Sequence, residues 1–233
     1  MDIKPLTTLI FDLDGTLCHY TINLEEALLQ TFGVDKVENL PLTPEEYQEG
    51  FGGEFDRAVN GTVDSEELGF RTRIFYTRLK EKSFSRKEIV NLGERFRDIR
   101  EKSLTLYPEA EPLFDKLIGK FKLGLLTNGP SSLQRRKIEK LEIESWFDSI
   151  VVSGEHNMAK PDPRIFRIAL AELDSNENNS IYIGNSLQYD VLGANNAGLP
   201  VIWKKDEDDE CEEAKPDLVI NSLSELIDNN RSL

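Results

Sequence analysis

From residue 106 onward the chain alternates short apolar runs with longer stretches of mixed, helix-like periodicity. The clearest runs are 122–127 (Lys-Leu-Gly-Leu-Leu-Thr), 149–153 (Ser-Ile-Val-Val-Ser) and 180–184 (Ser-Ile-Tyr-Ile-Gly), and 201–203 and 218–220 add two more. Helical patterns fall between them near 109–117, 132–141, 164–173 and 188–197. With a further apolar run at 8–12, the pattern predicts about six strands alternating with helices, an α/β parallel sheet covered on both faces.

The stretch from 17 to 105 reads differently. It shows no β-rich run and three helix starts of the capping-box type: Thr43 with Glu46, Asp64 with Glu67, and Ser85 with Glu88. Ile89, Leu92, Phe96 and Ile99 recur at helical spacing on one face. Gly50-Phe51-Gly52-Gly53 is expected to break the helical pattern into a loop, or to mark a joint between two helices. An all-helical insert thus separates the first strand from the rest of its sheet, giving a core of residues 1–16 and 106–233 and an insert of 17–105.

At 233 residues and 39% hydrophobic, the chain is long enough to bury a substantial core. A net charge of -15 argues against nucleic acid or an anionic membrane as partner, since both require clustered Lys and Arg. Seven of the eight residues 206–213 are acidic and read as a solvated loop. Cys18 and Cys211 have no close spacing, and neither a signal segment nor a spanning apolar run is visible, so a reducing, cytoplasmic setting is expected.

Chemistry concentrates where strands end. The run 9–11 leads into Asp12 and Asp14, then a turn at Gly15 that brings both carboxylates to one spot. Like charges this close repel unless a cation or proton separates them, which points to a divalent metal. Thr127 and Asn128 follow the second run and precede a helix start, a hydroxyl, an amide and free N–H groups that suit an anion. Lys160, in Ala-Lys-Pro-Asp-Pro, sits in a loop stiffened by Pro161 and Pro163. Asn185 and Asp190 follow the run at 180–184. Asp12, the carbonyl of Asp14, Asn185 and Asp190 together offer the oxygen ligands that Mg²⁺ prefers. His19 and His156 do not add up to a transition-metal site.

These segments, Asp12-Leu13-Asp14-Gly15-Thr16, Thr127-Asn128, Lys160-Pro161 and Gly184 to Asp190, resemble in order the four motifs of the haloacid dehalogenase-like superfamily. The resemblance covers the whole chain and implies a Rossmann-like core with a mobile helical cap. It implies a Mg²⁺-dependent phosphatase acting on a small phosphate ester, with Asp12 as the nucleophile that forms an aspartyl phosphate. Asp14 becomes the general acid and base, a task suited to a raised pKa. Thr127 and Asn128 hold the phosphoryl oxygens, and Lys160 neutralises the nucleophile and the transferring group.

One position departs from the family pattern. Relatives usually carry Asp where this chain has Asn185, which removes a negative charge from the metal site and leaves Asp190 as its critical acid. Three readings follow: an active enzyme with a looser metal site, one with altered metal preference, or a binding module that has lost turnover. Asp14 argues against dehalogenation, while a sugar phosphomutase shares both acids. Arg57, Arg71, Arg73 and Arg78 in the insert are candidates for an anionic substrate or for a solvated face.

Overall fold

The computed structural model describes residues 5–59, 68–205 and 210–228. Six parallel strands form one sheet: β1 (Thr8–Phe11), β4 (Lys122–Thr127), β5 (Ser149–Val152), β6 (Ser180–Gly184), β7 (Val201–Lys204) and β8 (Leu218–Ile220), in the order β5-β4-β1-β6-β7-β8. A second, antiparallel pair consists of β2 (Cys18–Tyr20) and β3 (Leu104–Leu106).

Alternation along the strands divides the core into two layers. Leu9 and Phe11 of β1, Leu123 and Leu125 of β4 and Ile183 of β6 pack with α5 (Ala110–Leu117) and with Ile138 of α6 (Ser131–Lys140). Ile10, Leu126 and Tyr182 face the other way, against α7 (Pro163–Glu172) and α8 (Leu192–Ala197). The helix predicted at 188–197 is entered through one π-helical turn, Leu187–Val191. A short α9 (Ser224–Asp228) ends the described chain.

Among the described residues, four α-helices fill the insert: α1 (Leu24–Phe32), α2 (Pro44–Val59), α3 (Phe70–Leu79) and α4 (Arg86–Ser103). They enclose their own core of Leu28, Leu42, Tyr47, Ile74, Phe75 and Phe96. The capping boxes at Thr43 and Ser85 form in both directions. Asp64 and Glu67 lie outside the described residues, as do residues 206–209 of the acidic run.

Two expectations for the insert are corrected. The stretch holds strands after all: β2 pairs with β3 at the point where the chain leaves and re-enters the core, too short to give a β-rich run. The glycines at 50, 52 and 53 do not interrupt α2, which runs through them. Packing overrides propensity here. The Phe51 ring meets Phe70 at 5.1 Å, and Gly50 lets α2 approach α3 so closely that a Cβ there would lie 2.8 Å from Ile74 Cγ2. Among the described residues, no helix is long and apolar enough to cross a membrane.

Candidate active site

The strand order reverses around β1, with β4 and β5 on one side and β6, β7 and β8 on the other. The loops after β1, β4 and β6 therefore open into one crevice at the carboxyl ends of the strands, where doubly wound sheets bind ligands. Two hydrogen-bond networks there collect Asp12, Asp14, Thr127, Asn128, Lys160, Asn185 and Asp190, while Arg57 and Arg73 pair with Glu54 and Arg78 with Glu49 inside the insert.

The first network centres on Lys160, which is 4% exposed. Its ammonium lies 2.6 Å from Asp12 Oδ1, 2.6 Å from Asp190 Oδ1 and 2.9 Å from the Tyr182 hydroxyl, with the Leu126 carbonyl at 3.3 Å. Asn128 ties the same loop by its side chain, accepting from the Lys160 N–H and donating to the Lys160 carbonyl. Two carboxylates around one ammonium leave an excess buried negative charge. Burial dominates at Asp12 and outweighs the attraction of Lys160, so its carboxyl is pushed up to about 7, with Asp190 adding to the rise. Lys160 is raised although burial opposes its charge, because both carboxylates favour the ammonium.

The second network holds Asp14. Both of its oxygens lie 2.7 Å from Lys137 Nζ, and Oδ2 also accepts from Gln134 Nε2 at 2.9 Å. The same Gln134 amide donates to Thr127 Oγ1 at 2.6 Å. Burial pulls the Asp14 carboxyl upward, but the Lys137 ammonium and these hydrogen bonds together outweigh it and hold the group below its ordinary value. The raised pKa expected for Asp14 is thus reversed, because α6 sets an ammonium against it.

Asp190 is also placed differently from the expectation. Oδ1 takes Lys160 and Tyr182, while Oδ2 accepts from the backbone N–H groups of Asn185 and Ser186 at 3.1 and 2.9 Å. Its acceptor sites are filled, and the side chain is 1% exposed. As arranged, it braces the loop and Lys160 and offers no open oxygen to a metal.

The oxygens that do fit a metal lie around Thr16, whose hydroxyl is 3.4 Å from both Asp12 Oδ2 and Asn185 Oδ1. Gly15 makes this possible: its φ is +79°, and a Cβ there would stand 2.2 Å from Asn185 Nδ2. One carboxylate and one amide oxygen, with the Asp14 carbonyl expected from the sequence, are hard-oxygen donors of the kind that Mg²⁺ takes, completed by water and phosphate. No cage of three or more His, Cys, Asp or Glu side chains occurs among the described residues.

Thr16, Gln134, Lys137 and Tyr182 were not anticipated. Helical spacing on α6 places Gln134 and Lys137 on one buried face beside Ile138, two polar residues where apolar ones are the norm. Tyr182 carries a hydroxyl into the middle of its strand, between Ile181 and Ile183.

The chain is similar to known proteins in sequence and in fold. The chain is 35% identical to phosphoserine phosphatase of Thermus thermophilus over 159 residues, 67% of this chain and 64% of that protein, so it spans just under two thirds of that relative. It is 28% identical over 242 residues to ribulose-1,5-bisphosphate 5-phosphatase of Halopiger xanaduensis, covering 95% and 98% of the two chains. The HAD-hydrolase YfnB of Bacillus subtilis, solved bound to magnesium, superimposes with a TM-score of 0.66 at 26% identity over 96% of this chain and 97% of that one. The family model for haloacid dehalogenase-like hydrolases matches residues 6–198, a segment that contains both networks, and the chain belongs to that family.

Proposed function

We propose that the protein is a Mg²⁺-dependent phosphomonoesterase acting on a small phosphorylated metabolite, with Asp12 as nucleophile. The observation that carries this reading is the Asp12–Lys160 contact of 2.6 Å at the switch point of the sheet, with Asp12 Oδ2 left to a single long contact. A carboxylate that meets a phosphate dianion 4 Å away faces roughly 4 kcal/mol of repulsion per charge pair at intermediate dielectric, so a fixed ammonium is what this attack requires. Mg²⁺ held by Asp12, Asn185 and the Asp14 carbonyl would supply the remaining neutralisation of the phosphoryl oxygens. Thr127 and the first turn of α6, which no side chain caps, suit those oxygens as well.

Asp14 is the candidate acid and base, and leaving the grip of Lys137 is the step that frees it. The insert, residues 17–105, serves as the cap that covers the crevice, and the core consists of residues 1–16 and 106–233. The names of the relatives, both phosphatases, support hydrolysis of a phosphate ester over transfer to a second sugar position. The amide at Asn185 favours one further reading, a weakened phosphate-binding module, because it lowers the charge facing the metal by one.

Turnover of p-nitrophenyl phosphate across a Mg²⁺ series, in the wild type, Asp12→Asn and Asn185→Asp, decides between them. Turnover that disappears in Asp12→Asn and needs less metal in Asn185→Asp is expected. A wild type without turnover that gains it in Asn185→Asp would establish the weakened module instead.

A further inference from the structure

The seam between the insert and the core concentrates positive charge in a chain whose net charge is -15. Arg71, on α3, is 8% exposed. Its Nη2 donates to the Tyr20 hydroxyl at 2.7 Å, while Nε and Nη1 are buried with no hydrogen-bond partner. Arg100 covers the Tyr20 ring, its guanidinium carbon 3.4 Å from the centroid, and Lys137 lies 5.8 Å from the same ring. Among the described residues Lys137 is paired with Asp14 and Arg136 with Glu101, but neither Arg71 nor Arg100 has a carboxylate within ion-pair distance.

An arginine keeps its charge at every accessible pH, so Arg71 has no route to relief by losing a proton. Buried donors without acceptors are uncommon, and a charged one is the most costly kind. The Tyr20 and Phe96 rings, each 5.7 Å from its guanidinium carbon, offset part of that cost but give Nε and Nη1 no acceptor. A ligand can bring one.

The surroundings have room for such an acceptor. Arg71 lines a cavity of about 130 Å³ between α3, α4 and α6, together with Thr72, Arg97, Ser132, Arg136 and one carboxylate, Glu101, which is paired with Arg136. It also lines a second space of about 10 Å³, shared with Tyr20, Arg100 and Lys137, which is the size of one water. Lys137 links this seam to the reaction centre, because its ammonium also binds Asp14 at 2.7 Å. Arg71 itself is near enough to Asp14 for its charge to help hold that carboxyl down, which sets it beside the reaction centre.

We propose that Arg71 determines specificity by binding a second anionic group, a carboxylate or a phosphate, carried by the substrate beyond its scissile phosphoryl group. The inference rests on the phosphomonoesterase reading above and names the class of substrate for that site.

Matched pairs test it. kcat/KM is compared for 3-phosphoglycerate against glycerol 3-phosphate, and for fructose 1,6-bisphosphate against fructose 6-phosphate, in the wild type, Arg71→Lys and Arg71→Gln. The wild type is expected to favour the more anionic member of one pair by about 10-fold or more, and which pair responds separates carboxylate from phosphate. Arg71→Gln should erase that preference, and Arg71→Lys should retain part of it. If the variants fail to fold, calorimetric binding of phosphonoacetate against ethylphosphonate, and of ethane-1,2-bisphosphonate against ethylphosphonate, to the wild type with Mg²⁺ gives the same comparison without turnover.

A wild type that hydrolyses p-nitrophenyl phosphate yet treats both pairs alike would overturn the inference and leave the phosphatase reading standing, as would an Arg71→Gln protein that keeps the preference. A wild type without turnover that still binds an anionic probe about 10-fold more tightly than ethylphosphonate would do the reverse, supporting the subsite while the phosphatase reading fails.

Discussion

Asn128 grips Lys160 by both ends of its backbone: Oδ1 accepts from the Lys160 N–H at 2.9 Å, and Nδ2 donates to the Lys160 carbonyl at 3.0 Å. The amide assigned from sequence to phosphoryl oxygens is here engaged in fixing the loop that delivers the ammonium. Asn128→Ala is expected to cost about 1–3 kcal/mol in urea melts, from two unsatisfied backbone groups. It should also lower kcat by roughly 10²-fold through displacement of Lys160. Asn128→Asp should be worse, since it turns a carboxylate oxygen towards the Lys160 carbonyl. An unchanged kcat in either variant would show that Lys160 is held by other means.

Removal of the ammonium leaves Asp12 and Asp190 buried together. Lys160→Met should lose about 3–5 kcal/mol at pH 8, the usual cost of breaking a buried ion pair from one side. The double variant Lys160→Met/Asp190→Asn should recover part of that loss, because it removes one of the two stranded charges. Equal stability of the single and double variants in denaturant melts would mean that the carboxylates do not oppose one another.

The Asp12 carboxyl, pushed up from 3.8 to about 7 by burial, should give the metal-free protein a contribution to stability that is lost as pH rises. Between those values the native state holds a proton that the unfolded chain has released. The favourable contribution is therefore complete below about pH 4 and gone above about pH 7, on the order of 4 kcal/mol in all at ~1.4 kcal/mol per unit. The curve to measure is stability in EDTA for the wild type minus that for Asp12→Asn, which should fall across this window and then level off. A flat difference curve would place Asp12 at an ordinary carboxylate pKa.

Three glycines on α2 should respond in opposite ways. Nothing lies within 4 Å of a Cβ added at Gly52 or Gly53, so alanine at each should raise stability by about 0.5–1 kcal/mol through helix propensity. Gly50→Ala would bring its Cβ to 2.8 Å from Ile74 Cγ2 and should be neutral or destabilising. Thermal melts of the three variants, read against one another, test whether α2 is continuous and which side of it meets α3.

The sheet was legible because its strands are short apolar runs at the places where they pair, and because Asp12, Lys160 and Asp190 stand directly after or near strand ends. What sequence did not convey was the use each side chain is put to. Asp190 and Asn128 look like ligands until their partners are visible, and the partner they share, Lys160, lies 30 and 32 positions away in sequence. The low pKa of Asp14 depends on Lys137, which is 123 residues distant and sits on a helix with no motif of its own. The glycines of α2 misled because local propensity is weaker than the contact of Phe51 with Phe70. Arg71 was one of four arginines named together, and only burial without partners singles it out.

The pairing of β2 with β3 sets Tyr20 opposite Leu104, so the insert begins and ends within one interstrand spacing, about 5 Å. To the core, the whole helical unit is therefore equivalent to the turn of a hairpin. A two-residue Asn-Gly turn between those positions would bridge the same gap, and the six-stranded sheet needs no residue from between them for its ladder. The architecture is in this sense modular: the insert joins the core at one doorway, and exchanging it there would leave the sheet its strands, its register and the carboxylates at its edge.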